Sequence, residues 1–293
     1  MLSDSIPIPH FAAAKTKSEK MSASAKAAKA VGSSMSVDPN PPTPIIIGTT
    51  AYPLNGILEV VRTRETNLGQ LVADSYIWFI DSYLKASGSA DNNLPERADI
   101  AFKNAGAIRS SIDGPDVTIS DIEAALSFNN KLSVIRVTVP QLLAAMENAV
   151  SSYPRVLGDG GPGHFPQITG MEITFDPTKL GVNGKEEVIE PSRVTSMKVG
   201  EDVIVENGQV VDTTLTNSYV MATTDYLSEG GSEFVSLAAG EKLGDTGTGE
   251  QYALADYIQS ALNGKVDIVD PPLNQRVQCV GVECVSYEIW KSN

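Results

Sequence analysis

The chain has 293 residues, 42% of them hydrophobic, enough to bury a full core in one large domain or two small ones. Its formal charge of −14 is uneven: residues 1–42 hold five lysines against Asp4, Glu19 and Asp38, which leaves −16 on the remainder. A domain this acidic does not bind nucleic acid through a phosphate-neutralising face, and no run of ~18 apolar residues offers a membrane span.

The first 42 residues are rich in Ala, Ser and Lys and run into Asn40-Pro-Pro-Thr-Pro44 without apolar periodicity. Residues 1–44 therefore read as a disordered leader. They contain no apolar centre of ~7 residues, so no signal peptide is evident; the expectation is a soluble chain whose compartment stays open. Pro44-Ile-Ile-Ile47 opens the folded part. From Asn67 the apolar positions Leu68, Leu71, Val72, Tyr76, Phe79, Ile80, Tyr83 and Leu84 follow a period near 3.6 and predict a helix closing near Gly88. Residues 98–103 predict a short buried strand. Ser120-Asp-Ile-Glu123 has capping-box spacing and predicts a short helix to about Leu126. Leu132 to Val139 alternates as a strand, and Pro140 sits at the start of a helix carrying Leu142, Leu143, Met146 and Val150. Met171 to Phe175 predicts a strand, and Asn207-Gly208 between two Val-rich runs predicts a tight hairpin. Ser218 to Thr223 is a further strand, and Thr248 to Leu262 a last helix ended by Asn263-Gly264. Helices alternate with strands while hairpins are mixed in, which predicts an α/β fold with mixed sheets.

Several chemistries fail on inventory. Gly158-Asp-Gly-Gly-Pro-Gly163 satisfies G-x-G-x-x-G formally, but Pro162 and His164-Phe-Pro166 cannot open the helix a dinucleotide loop needs, so a flexible loop is expected. A binuclear metal site needs several His, Asp and Asn ligands, whereas the chain has only His10 and His164. His164 has no Gly-x-Ser-x-Gly partner either and reads as a loop side chain. Cys279 and Cys284, five residues apart, could close a small disulfide loop or remain free thiols.

One series of motifs stands apart. Asn104-Ala-Gly-Ala-Ile-Arg109 follows the predicted strand and offers one amide and one guanidinium on a loop that a ligand can approach closely. Arg62-Thr-Arg-Glu-Thr-Asn-Leu-Gly69 precedes it. Leu126-Ser-Phe-Asn-Asn-Lys-Leu132, Gly163-His-Phe-Pro-Gln-Ile-Thr-Gly170 and Asp225-Tyr-Leu-Ser-Glu-Gly-Gly-Ser232 follow. Five blocks in this order resemble the C-terminal, substrate-binding domain of the 5′-nucleotidase family, over roughly residues 45–277, with 278–293 as a tail. The resemblance implies a layered α/β/β/α sandwich with mixed sheets. It also implies that Arg62 meets ribose and phosphate, that Asn104 and Arg109 meet base and phosphate, and that Phe128 and Tyr226 sandwich the base. Arg64 and Glu65 are expected to form structural ion pairs instead.

Two departures from the family pattern predict weak nucleoside binding. Ser232 and Glu233 stand where the family has an Asp, which accepts from the ribose hydroxyls, and a Gly; Ala105 and Ala107 flank Gly106 where a Gly pair is usual. The family's catalytic half, which uses two divalent metal ions, should precede this domain, and its His-rich motifs are not in the sequence. The expectation is a substrate-binding domain that takes a nucleotide or nucleotide-like ligand, contributes no catalytic residue or metal site, and acts with a separate metallophosphatase domain or subunit. The alternatives are a non-catalytic nucleotide-sensing module and a degenerate relic.

Overall fold

A computed structural model describes residues 43–87, 94–153, 163–182, 186, 188–189, 192–281 and 284. The leader and most of the glycine loop at 158–163 lie outside them. In chain order the first half comprises β1 (Ile46–Thr50), α1 (Leu58–Val61), α2 (Asn67–Ser87), β2 (Ile100–Asn104), β3 (Asp116–Thr118), α3 (Ile119–Ala125), β4 (Lys131–Thr138) and α4 (Val139–Val150). Then come β5 (Pro166–Thr169), β6 (Met171–Phe175), β7 (Gly181–Val182), β8 (Val188–Ile189), β9 (Val194–Val199), β10 (Asp202–Glu206), β11 (Gln209–Val210) and β12 (Ser218–Thr224). The last elements are α5 (Asp225–Ser228), α6 (Val235–Ala238), β13 (Glu241–Gly249), α7 (Glu250–Asp256), β14 (Lys265–Val266) and β15 (Val277–Cys279).

Two five-stranded sheets carry the fold, ordered β13-β4-β12-β2-β5 and β11-β10-β9-β6-β15. Each contains one parallel pair, β12 with β2 and β15 with β6, among antiparallel ones. A smaller sheet, β14-β1-β3, is mixed in the same way. The fold is the mixed α/β arrangement that the sequence implies. Helix α2 lays Leu68, Leu71, Tyr76, Ile80 and Leu84 on the first sheet, touching β2, β4, β5 and β12, and all five are buried. Helix α4 touches strands of both five-stranded sheets.

Local chemistry explains most element boundaries. Thr138 caps α4 with its hydroxyl on the Gln141 N–H, Gln141 returns the bond to the Thr138 N–H, and Pro140 occupies the first turn. The expected box at Ser120 is corrected by two residues: Thr118 caps α3, and the Asp121 carboxylate accepts from the Thr118 N–H at 2.9 Å. Thr118 wins because it ends β3 in an extended conformation, as an N-cap requires, whereas Ser120 is already helical. Strand β13, Glu-Lys-Leu-Gly-Asp-Thr-Gly-Thr-Gly, has no sequence signal; it is a polar edge strand with two register shifts against β4. Cys279 and Cys284 form a disulfide.

Candidate functional site

The short helix α1 ends at Arg62, and the turn that follows is stitched to β5 by one buried side chain. Gln167 Nε2 donates to the Val61 and Arg64 carbonyls at 2.9 and 3.0 Å, while its Oε1 accepts from the Thr66 N–H at 3.2 Å. Gly69 makes room for that amide, since a Cβ there would lie 1.8 Å from Gln167 Oε1. Arg64 forms the expected structural pair, bidentate to Asp270 at 3.0 and 2.7 Å. Glu65 does something different: its buried carboxylate takes the backbone N–H groups of Arg276 and Val277. Burial raises its pKa despite these donors and the Gln70 amide.

The Asn104–Arg109 loop leaves β2 beside the segment that leads into β5. The Ala105 N–H reaches the Phe165 carbonyl at 2.9 Å, and the Gly106 N–H reaches the Gly163 carbonyl at 2.8 Å. A Cβ on Gly106 would stand 2.6 Å from Gly163 Cα. The close approach expected of this loop is thus taken up first by the chain's own backbone, although Gly106 still faces a cleft. Asn104 is 3% exposed. Its Nδ2 donates to the same Gly163 carbonyl at 3.3 Å, and its Oδ1 is buried without a hydrogen-bond partner.

The loop carrying Phe128 is pinned at both ends by the start of α7. Gln251 Nε2 donates to the Leu126 carbonyl at 3.0 Å, and the Asn130 N–H donates to Glu250 Oε1 at 3.2 Å. Glu250 is itself fully buried and paired with the fully buried Lys103 on β2, and the Tyr76 hydroxyl donates to the same carboxylate. Burial first, then the Glu250 charge, push the Tyr76 hydroxyl well above the usual phenol range, so it stays a donor.

A cleft of about 280 Å³ opens between these pieces, lined by Arg62, Asn104, Gly106, Ala107, Phe128, Asn130, Gly163, Tyr226 and Ser232. Five of the six candidate site residues therefore line one cavity although they span residues 62 to 232. Arg109 does not line it; it stands exposed beside it, its guanidinium 5.9 Å from the Phe128 ring centroid and its Nη1 donating to the Gly106 carbonyl at 3.1 Å. Phe128 is 60% exposed and Tyr226 44%, which rules out the core-aromatic role each would have by default. Burial, and then the nearby Arg109 guanidinium, lower the pKa of Arg62. The Glu59 carboxylate acts in the opposite sense. Ser232 is left-handed at φ 55°, and its N–H donates to the Tyr226 hydroxyl at 3.0 Å.

Over residues 46–239 the sequence matches the family described as 5′-nucleotidase, C-terminal domain. The chain belongs to this family. It is 30% identical over 237 residues to the trifunctional nucleotide phosphoesterase protein of Bacillus subtilis, covering 78% of this chain and 14% of that protein. It is 25% identical to a 5′-nucleotidase of Diplobatis ommata, covering 79% of this chain and 36% of that one. Among solved structures, the 5′-nucleotidase precursor from Thermus thermophilus superposes with a TM-score of 0.61 at 27% identity, covering 81% of this chain and 40% of that one. The chain thus spans well under two thirds of these relatives.

Asn130 and Gly163 are the lining residues that sequence reasoning missed as individuals. Both lie inside the 5′-nucleotidase-like blocks, Asn130 two positions after Phe128 and Gly163 at the head of its block, so their place in a motif was legible and their orientation was not. His164 is a loop side chain set edge-on to Phe234, ring centroids 5.9 Å apart. Among the described residues no helix is long and apolar enough to cross a membrane, and no three His, Cys, Asp or Glu side chains group to hold a metal ion.

Proposed function

We propose that this chain is the nucleotide-holding part of a 5′-nucleotidase-type hydrolase. The reading rests on one observation above all: Arg62, Asn104, Phe128, Tyr226 and Ser232 line a single cleft, with Arg109 beside it. Phe128 and Tyr226 offer π-faces to a base, Asn104 offers an acceptor to its edge, and the Arg62 and Arg109 guanidiniums suit a phosphate. Residues 45–277 would form the domain that carries the site.

The relatives act on phosphate esters, and the family resemblance assigns that chemistry to two divalent metals on a metallophosphatase domain. The cleft lining offers neither carboxylate nor imidazole, so its donor set does not fit such ions. On this reading the metals belong to a separate domain or subunit, and this chain positions the substrate for it. A second reading, a module that binds a nucleotide-like ligand without chemistry, draws on Ser232 and Glu233, which supply no charged acceptor inside the cleft.

The test is a calorimetric titration of the full chain with AMP. Phe128→Ala should weaken binding by about 1–3 kcal/mol, the worth of one base–aromatic stack. Equal affinity of both proteins for AMP would refute the reading.

A further inference from the structure

Tyr226 and Ser232 satisfy each other. The Ser232 N–H donates to Tyr226 Oη at 3.0 Å, and Ser232 Oγ lies 3.2 Å from the same oxygen. Ring and turn are held together from several sides. Gly231 lies beneath the ring, where a Cβ would meet Tyr226 Cε2 and Cζ at 2.5 Å. The Ser232 carbonyl accepts from Asn148 Nδ2 at 3.2 Å, which fixes the left-handed turn against α4. At this end of the cleft the Ser232 N–H and one of the two hydroxyl hydrogens are therefore already engaged.

The other end is different. The Asn104 amide is anchored by its Nδ2 on the Gly163 carbonyl, so its Oδ1 is left as an acceptor. That oxygen is the buried, unpartnered acceptor among the described residues lining the cleft. A ligand N–H reaching it relieves an unmet polar group, which is a net gain. A ligand hydroxyl reaching Ser232 must instead compete with Tyr226 Oη for the Ser232 N–H and for one of the two hydroxyl hydrogens, and such an exchange is close to neutral.

We propose that the Tyr226 hydroxyl is a specificity-determining group: it occupies Ser232 in place of ligand hydroxyls, so the cleft binds ribo and 2′,3′-dideoxy nucleoside monophosphates without distinguishing them. The proposal rests on the nucleotide reading above and adds what the site ignores. It also means that Ser232→Asp alone introduces a carboxylate that Tyr226 would cap, and that ribose recognition needs the hydroxyl removed.

The test is calorimetric titration of the full chain, Tyr226→Phe and Ser232→Gly with AMP and with 2′,3′-dideoxy-AMP. Glycine is chosen at 232 because it tolerates the φ of 55°. The wild type should bind the two ligands within about twofold, and Ser232→Gly should keep that ratio. Tyr226→Phe frees the Ser232 N–H and hydroxyl and should give AMP an advantage of roughly three- to tenfold, the worth of one hydrogen bond. A wild-type preference for AMP of about tenfold, or a ratio unmoved by Tyr226→Phe, overturns the proposal while leaving the nucleotide reading intact. Failure of the wild type to bind either ligand overturns both.

Discussion

Replacing Glu250 by Gln keeps the size of the side chain and removes the charge that faces Lys103. Both side chains are fully buried, and the Glu250 carboxylate also takes the Tyr76 hydroxyl and, at 3.2 Å, the Asn130 N–H. Breaking a buried pair from one side leaves an uncompensated ammonium and costs about 3–5 kcal/mol. Glutamine has one acceptor oxygen in place of two, so either the phenol or the Asn130 N–H loses its partner, adding about 1 kcal/mol. A total near 4–6 kcal/mol is a large part of the roughly 5–15 kcal/mol that stabilises an ordinary domain. At about 2–4 °C per kcal/mol for a domain of this size, the melting temperature should fall by about 10–20 °C. Lys103→Met in the same background removes the orphaned ammonium, so the double variant should recover at least ~2 kcal/mol relative to the sum of the two single losses. Urea unfolding of the four proteins measures all of this. A Glu250→Gln loss below ~1 kcal/mol, or single effects that simply add, would show that the pair is not a closed electrostatic unit.

Gly69→Ala should lower the melting temperature, because the new methyl meets the immobile Gln167 amide and overpacking costs about 1–3 kcal/mol, more than the helix propensity of Ala returns; a rise on calorimetry would refute the packing argument. Glu233→Gly should raise it by a few degrees, since Glu233 sits at φ 63° and glycine removes about 1–2 kcal/mol of backbone strain against a smaller entropy penalty in the unfolded chain; a fall would mean that the Glu233 side chain itself stabilises the turn. Glu65 has a folded-state pKa raised by burial, so its contribution is fully present below the unfolded value of about 4.3 and is lost as pH rises through the folded one. Against the non-titrating Glu65→Gln, the wild type should therefore lose relative stability as pH rises above about 4 in denaturant titrations, and a relative gain on that rise would reverse the assignment.

Helices α2 and α4 were legible because one buried stripe at a 3.6-residue period and one cap decide them within a few residues. The Asn207-Gly208 hairpin was legible because two adjacent residues decide it, with φ values of 53° and 83° that such a pair adopts readily. Strand β13 was not, because its pairing with β4 depends on backbone bonds and bulges rather than on a side-chain pattern. The cap of α3 was misplaced by two residues because Thr118 and Ser120 offer similar side chains, and only the extended end of β3 chooses between them.

At the site, the amino-acid order alone determined which six side chains to watch and the family they belong to, since each block is a contiguous motif whose residue types are independent of how the blocks meet. The tertiary structure decided where those side chains sit and what they bond. It engaged the Asn104 nitrogen on Gly163 and left the buried oxygen without a partner, and it placed Arg109 beside the cavity rather than in it. It also closed the Tyr226 hydroxyl onto Ser232 and set Glu250, 147 positions along the chain, against Lys103. For Asn104 on Gly163 and for Glu250 on Lys103 the physical reason is the same. A local pattern records which residues can be buried or turned within a few positions, whereas a hydrogen bond or ion pair between distant segments exists only once packing has brought them within about 3 Å.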